Sequence, residues 1–143
     1  MNRTAIYSEQ AGTNNLNKHA HWLLRIAVAS VFLYHGFTKF PQAEGLAGMM
    51  GMPLILVYML GAVELTGAVL VLAGGVGSAW LTRLGSLLLI PVMLGAVAMV
   101  HWPRWNFAPS PEHPMGGMEF QVVLLLVLVY LLVQGGRRAV VRA

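Results

Sequence analysis

The sequence predicts an all-α membrane protein, a four-transmembrane-helix bundle with both termini in the cytoplasm. Three observations lead there. Of the 143 residues, 57% are hydrophobic and only 10% are charged, against about 25% charged in a soluble domain. The apolar residues gather into four runs, each closed by glycine, proline or polar residues. The basic residues fall mostly on one side of those runs.

Residues 1–21 hold Ser, Thr, Asn, Gln, Gly and His with no apolar run, so they read as a polar, flexible cytoplasmic tail. The first span, 22–40, is apolar from Leu23 to Tyr34 apart from Arg25 and Ser30; His35 and Lys39 follow, and Pro41 stops it. Its ionisable groups share one face of a helix, as expected of a span that turns a polar stripe toward protein. Residues 41–53 form a loop rich in glycine and methionine. The second span, 54–73, is interrupted by Glu64 and Thr66 and broken by Gly74, Gly75 and Gly77. The third, 81–100, carries Pro91 as a kink. The longest loop, 101–118, holds Pro103, Pro109, Pro111 and Pro114. The fourth span is 119–134; its uninterrupted part, 122–133, reaches about 18 Å, short of a hydrocarbon core of about 30 Å. Residues 22–135 thus form the membrane domain, and 136–143 a basic cytoplasmic tail with Arg137, Arg138 and Arg142.

Four spans put both ends of the chain on one side. Arg3, Lys18, Arg25, Arg83, Arg137, Arg138 and Arg142 lie there, with only Lys39 and Arg104 opposite. The positive-inside rule makes that side cytoplasmic, in a multi-pass membrane protein. Trp22, Trp80, Trp102 and Trp105 mark the interfacial belts. The sequence pI near 10.0 reflects scattered basic residues rather than a nucleic-acid patch, so no nucleic acid is expected as a partner. With no cysteine, thiol exchange, thiolate-held iron–sulfur clusters and covalent haem are excluded.

Glu64 carries the strongest chemical signal, because a carboxylate near mid-bilayer costs several kcal/mol (about 3 on insertion scales) unless paired or protonated. Side chains lean toward a helix N-terminus, so His35 on an outward-running span and Glu64 on an inward-running one are expected to converge. This pair forms the candidate catalytic, proton-handling centre; the plain alternative is a structural pair of Glu64 with His35 or Lys39 that sets helix register. Arg25 and Lys39 lie one turn from opposite boundaries, where snorkelling explains them; in the functional reading they support the pair. His101 and Glu119 end the third span and begin the fourth on the outer side, completing a polar cluster. Glu119 also suits the helix dipole. Gly61, Gly67, Gly85 and Gly95 read as helix-packing positions. A separate soft-metal set, suited to copper(I), comprises Met49, Met50, Met52, His101, His113, Met115 and Met118; adaptable packing is its plain alternative.

At Arg25, 32-Phe-Leu-Tyr-His-Gly-Phe-Thr-Lys-39, 61-Gly-Ala-Val-Glu-Leu-Thr-Gly-67 and 116-Gly-Gly-Met-Glu-Phe-120, the chain resembles the DoxX family over residues 22–135. The resemblance implies an integral inner-membrane protein of four helices. It also implies association with redox functions, among them a subunit of thiosulfate:quinone oxidoreductase. The cysteine pair of vitamin K epoxide reductase-type proteins has no counterpart here.

The functional expectation is a redox-linked subunit, a component of a membrane oxidoreductase complex, that binds a quinone-like or amphipathic small molecule near the outer leaflet. Its partners are the lipid bilayer and either a protein partner in that complex or further copies of itself. The alternatives are a non-catalytic assembly or chaperone-like subunit, and periplasm-side copper handling by the outer loops.

Overall fold

The computed structural model describes the backbone of residues 3–135 and the side chains of residues 19–135. Five α-helices follow one another: α1 (Arg3–Lys39), α2 (Ala43–Met50), α3 (Leu54–Val76), α4 (Ala79–Ala96) and α5 (Glu119–Gln134). A π-helical turn, Val97–His101, continues α4. There is no strand among the described residues, only a bridge between Ser110 and His113.

Helix α1 is 37 residues long, so it begins at Arg3, well ahead of the first apolar run. No proline interrupts the intervening stretch, and the helix that the apolar run nucleates propagates back through it. Its C-terminus carries Lys39, favourable to the dipole, and Pro41 follows. The segment expected to be a loop contains α2. Gly51 closes it in the left-handed region at φ 61°, its amide bonded to Ala47 O, the usual glycine stop. Helix α3 runs past its expected end through Gly74 and Gly75, because both glycines serve as contact points and Gly77 is the stop. Ser78 caps α4 by accepting from the Trp80 amide. Pro91 lies inside α4 without ending it. Helix α5 keeps its expected bounds and stops at Gly135, φ 56°. The basic tail 136–143 lies outside the described residues.

Glycines set how closely the helices approach. A Cβ at Gly75 would sit 2.7 Å from Trp22 Cη2, and one at Gly36 would sit 3.1 Å from Gly61 O, so α1 and α3 run antiparallel along a small-residue seam. Gly67 meets Gly85 and Leu89 in the same way, and Gly74 meets Thr82, making α4 antiparallel to α3. Contacts of His101 with Gln121 and of Arg83 with Gly135 make α5 antiparallel to α4. Gly95 has nothing within 4 Å of a Cβ position, so it is not the packing glycine the sequence suggests. The core between the helices holds Val28, Ala29 and Phe32 from α1, Ala68 and Val71 from α3, Leu89 and Met93 from α4, and Leu124, Leu128 and Leu131 from α5.

Among the described residues, two stretches are long and apolar enough to cross a membrane. Leu54–Val76 and Ala79–His101 each have 23 residues, with mean hydropathies of 2.2 and 2.1, and 23 helical residues span about 34 Å. Helix α5 is shorter, at 16 residues. Ile55, Met59, Leu87, Leu94, Leu126 and Val133 are exposed on the outer faces. A surface this apolar belongs against lipid or protein.

Candidate functional site

The site is built on the Gly36–Gly61 seam. A Cβ at Gly61 would lie 3.1 Å from Gly36 O and 3.4 Å from Lys39 Cβ, so the α1 backbone approaches α3 within reach of Lys39. The two helices are antiparallel and their side chains lean toward opposite N-termini. Lys39 therefore leans back toward the start of α1 and Glu64 leans back toward the start of α3, so each reaches toward the other. Lys39 Nζ donates to Glu64 Oε2 at 2.8 Å and also reaches the His35 carbonyl at 3.4 Å. Glu64 is 3% exposed. The pair links α1 to α3 at the charged end of an apolar interface.

Glu64 is thus deep and paired, but its partner is Lys39 and not His35. With Gly36 facing α3, His35 points about 100° away around the helix, while Lys39 lies about 60° off and has a stem long enough to wrap back. His35 is exposed, its ring set edge-on to Tyr34 with centroids 5.5 Å apart.

Arg25 does not snorkel either. It is 2% exposed, and its Nη1 donates to both Val71 O and Thr82 Oγ1 at 2.6 Å, while Nε donates to His21 Nδ1 at 3.1 Å. One guanidinium therefore ties α1, α3 and α4 together at the end of the helices opposite Lys39. Its fixed fork of donors suits that task, which a lysine cannot reproduce.

The remaining members of the expected outer cluster serve the long loop. His101 Nδ1 lies 3.1 Å from Gly116 O, and Nε2 lies 2.9 Å from Gln121 Nε2. The ring therefore donates to the carbonyl and accepts from the amide. Glu119 Oε2 accepts from the Phe107 amide at 3.4 Å. Three successive carbonyls, Arg104, Trp105 and Asn106, accept from the amides of Met118, Glu119 and Gly117 at 2.8, 3.0 and 2.9 Å. They cap the start of α5, whose first amides have no partner within the helix. Among the described residues, no hydrogen bond or ion pair joins His101 or Glu119 to Lys39 and Glu64, so the expected cluster is divided into two.

The soft-metal set is divided as well. Met49, Met50, His113 and Met115 line a cavity of about 310 Å³ between the end of α2, the π-helical turn and the long loop. Met52, Met118 and His101 do not line it. Met99, which the sequence reading omits because it lies within an apolar run, does. No group of three or more His, Cys, Asp or Glu residues suited to a metal ion occurs among the described residues.

Comparison with known proteins follows this geometry. No solved structure matches the chain. A Bacillus subtilis (strain 168) protein bearing the name "Putative oxidoreductase CatD" is 34% identical over 118 residues, covering 80% of this chain and 78% of that one. The DoxX family profile matches residues 20–102, the stretch that holds Arg25, the Gly36–Gly61 seam and the Lys39–Glu64 pair. The seam and its buried charges are thus carried on the matched region, and the chain belongs to the DoxX family of membrane-associated proteins.

Proposed function

We propose that the protein crosses the bacterial inner membrane four times, with both termini cytoplasmic, and acts as a redox-linked subunit. In this reading it receives a quinone-like or other amphipathic molecule from the outer leaflet against the end of α1. The observation that carries it is the exposed His35 ring, which takes no hydrogen bond among the described residues and lies one helical turn before the Lys39 of the buried pair. An imidazole on an outward face of a membrane helix is costly unless a polar group meets it. A lipid-borne carbonyl or hydroxyl supplies that group. Lys39, with its side chain 14% exposed, stands at the edge of the same position, held by Glu64. A quinone takes up protons with its electrons, and an imidazole is the side chain best matched to exchanging them near neutral pH. The chain holds no cysteine ligand for a redox centre, so the electrons come from a partner subunit or a bound cofactor. The name of the Bacillus subtilis relative supports the redox link.

Solvent extraction of the purified protein and quantitation of quinones tests this. The wild type is expected to carry quinone, and His35→Ala and Glu64→Gln to lose it. Wild-type protein free of quinone, together with Glu64→Gln membranes of unchanged quinone-linked redox activity, sinks the reading.

One observation favours a second reading, an assembly subunit. Helix α5 has 16 residues, about 24 Å, against a hydrocarbon core of about 30 Å, and a neighbouring protein covers such ends well. That reading expects a stoichiometric partner to co-purify and Glu64→Gln to lower stability while redox activity persists.

A further inference from the structure

Four of the nine methionines of the chain meet at one cavity, brought there by three separate segments. Met49 and Met50 come from the end of α2, Met99 from the π-helical turn and Met115 from the long loop, with His113 and Glu112 beside them. The π-helical turn widens the end of α4, and such turns recur at functional sites. The segment bearing His113 is fixed: its amide and carbonyl are both bonded to Ser110 at 3.0 Å, and its carbonyl also accepts from Gly116 at 3.0 Å. Ser110 Oγ in turn accepts from Arg104. Three of the thioether side chains, by contrast, are not packed into the core. Met49, Met99 and Met115 are 56%, 65% and 51% exposed, too exposed for core packing to account for them.

We infer that this cavity is a binding site for a soft monovalent metal ion, Cu(I), with thioether sulfurs of the methionines and the His113 imidazole as donors. Thioether and imidazole ligands suit Cu(I), whereas magnesium, calcium and manganese prefer oxygen. An apolar wall alone would be served by leucine, which in the buried core stands at Leu89, Leu124, Leu128 and Leu131 against the lone methionine Met93. Unbranched methionine chains with three rotatable bonds close from an open cavity onto an ion, which stiff branched chains do not. Neutral thioethers bind without releasing a proton, and Glu112 at the rim offsets the positive charge. The ion binds and leaves in the same oxidation state. His101 is excluded as a ligand, since both ring nitrogens are engaged; it holds Gly116 in the cavity wall. The site does not depend on the quinone reading, because its residues do not include His35, Lys39 or Glu64.

Titration of the full-length detergent-purified protein with Cu(I), in competition with a bathocuproine chelator, tests the assignment. A single Cu(I) is expected to bind, with sulfur scattering at the copper absorption edge. The paired substitution Met99→Leu/Met115→Leu keeps the volume and apolarity of the wall and removes the donors, so affinity is expected to fall about tenfold or more. His113→Ala is expected to weaken it comparably, with thermal unfolding of the metal-free variants unchanged. Affinity unaltered in the leucine variant, or Zn(II) displacing Cu(I) at equal concentration, overturns the proposal.

Discussion

Lys39 Nζ lies 2.8 Å from Glu64 Oε2, and the two side chains reach one another along the Gly36–Gly61 seam from opposite directions. This ion pair explains how a carboxylate sits at an apolar helix interface. Removing one member leaves the other charge unpaired. Lys39→Met or Glu64→Gln is expected to destabilise by about 3 kcal/mol, discounted somewhat because Lys39 is not fully buried. The double variant Lys39→Met/Glu64→Leu is expected to recover most of that loss. Thermal unfolding in detergent checks both, and a double variant no better than its parents contradicts the pairing.

The middle of the α3–α4 seam leaves no room for a side chain. A Cβ at Gly85 would lie 2.7 Å from Gly67 O and 2.8 Å from Val71 N, both backbone atoms that cannot move aside. Gly85→Ala is expected to lower stability by about 1–3 kcal/mol. Gly95→Ala, where nothing lies within 4 Å, is expected to raise it by about 0.5 kcal/mol through the lower entropy of the unfolded chain. Unfolding curves of the two variants should move in opposite directions.

Arg25 joins three helices with one guanidinium. Arg25→Lys keeps the charge but loses the fork, and is expected to cost about 2 kcal/mol or more, since buried acceptors lose charged donors. Thr82→Val removes one acceptor and should cost less, about 1 kcal/mol. Equal melting of Arg25→Lys and wild type would show that charge alone is needed.

Topology is open to direct test because the chain lacks cysteine. Gly45→Cys, with open space around the position, is expected to react with an impermeant maleimide added to intact spheroplasts. Ser78→Cys, between α3 and α4, is expected to react only after permeabilisation. The reverse pattern inverts the proposed orientation.

Some helix bounds were legible because proline and polar residues mark them locally, as at Pro41 after α1 and Pro53 before α3. Glu64 was legible as the residue that matters, because a lone acid in an apolar run needs a partner. Its partner was legible only as a choice between His35 and Lys39. His35 and Lys39 are one turn apart, and only the Gly36–Gly61 contact sets which of them faces α3. Arg25 misled for a similar reason: position near a helix end suggests snorkelling, whereas the close approach of α3 and α4 supplies a buried carbonyl and hydroxyl. Met99 carried no signal in the sequence, since a methionine inside an apolar run differs from a core residue only once the π-helical turn brings it to the cavity. Helix α2 was hidden by its glycines, of which only Gly51 ends the helix.

The most direct measurement is photolabelling of the protein in liposomes with an azido-quinone, followed by mass spectrometry of the labelled peptides. Saturable labelling centred on Tyr34, His35 and Phe37, reduced by excess unlabelled quinone and lost in His35→Ala, is the expected result. Labelling spread evenly over the lipid-facing surfaces of α3, α4 and α5, and unchanged by competitor, would contradict a quinone-like ligand at the end of α1.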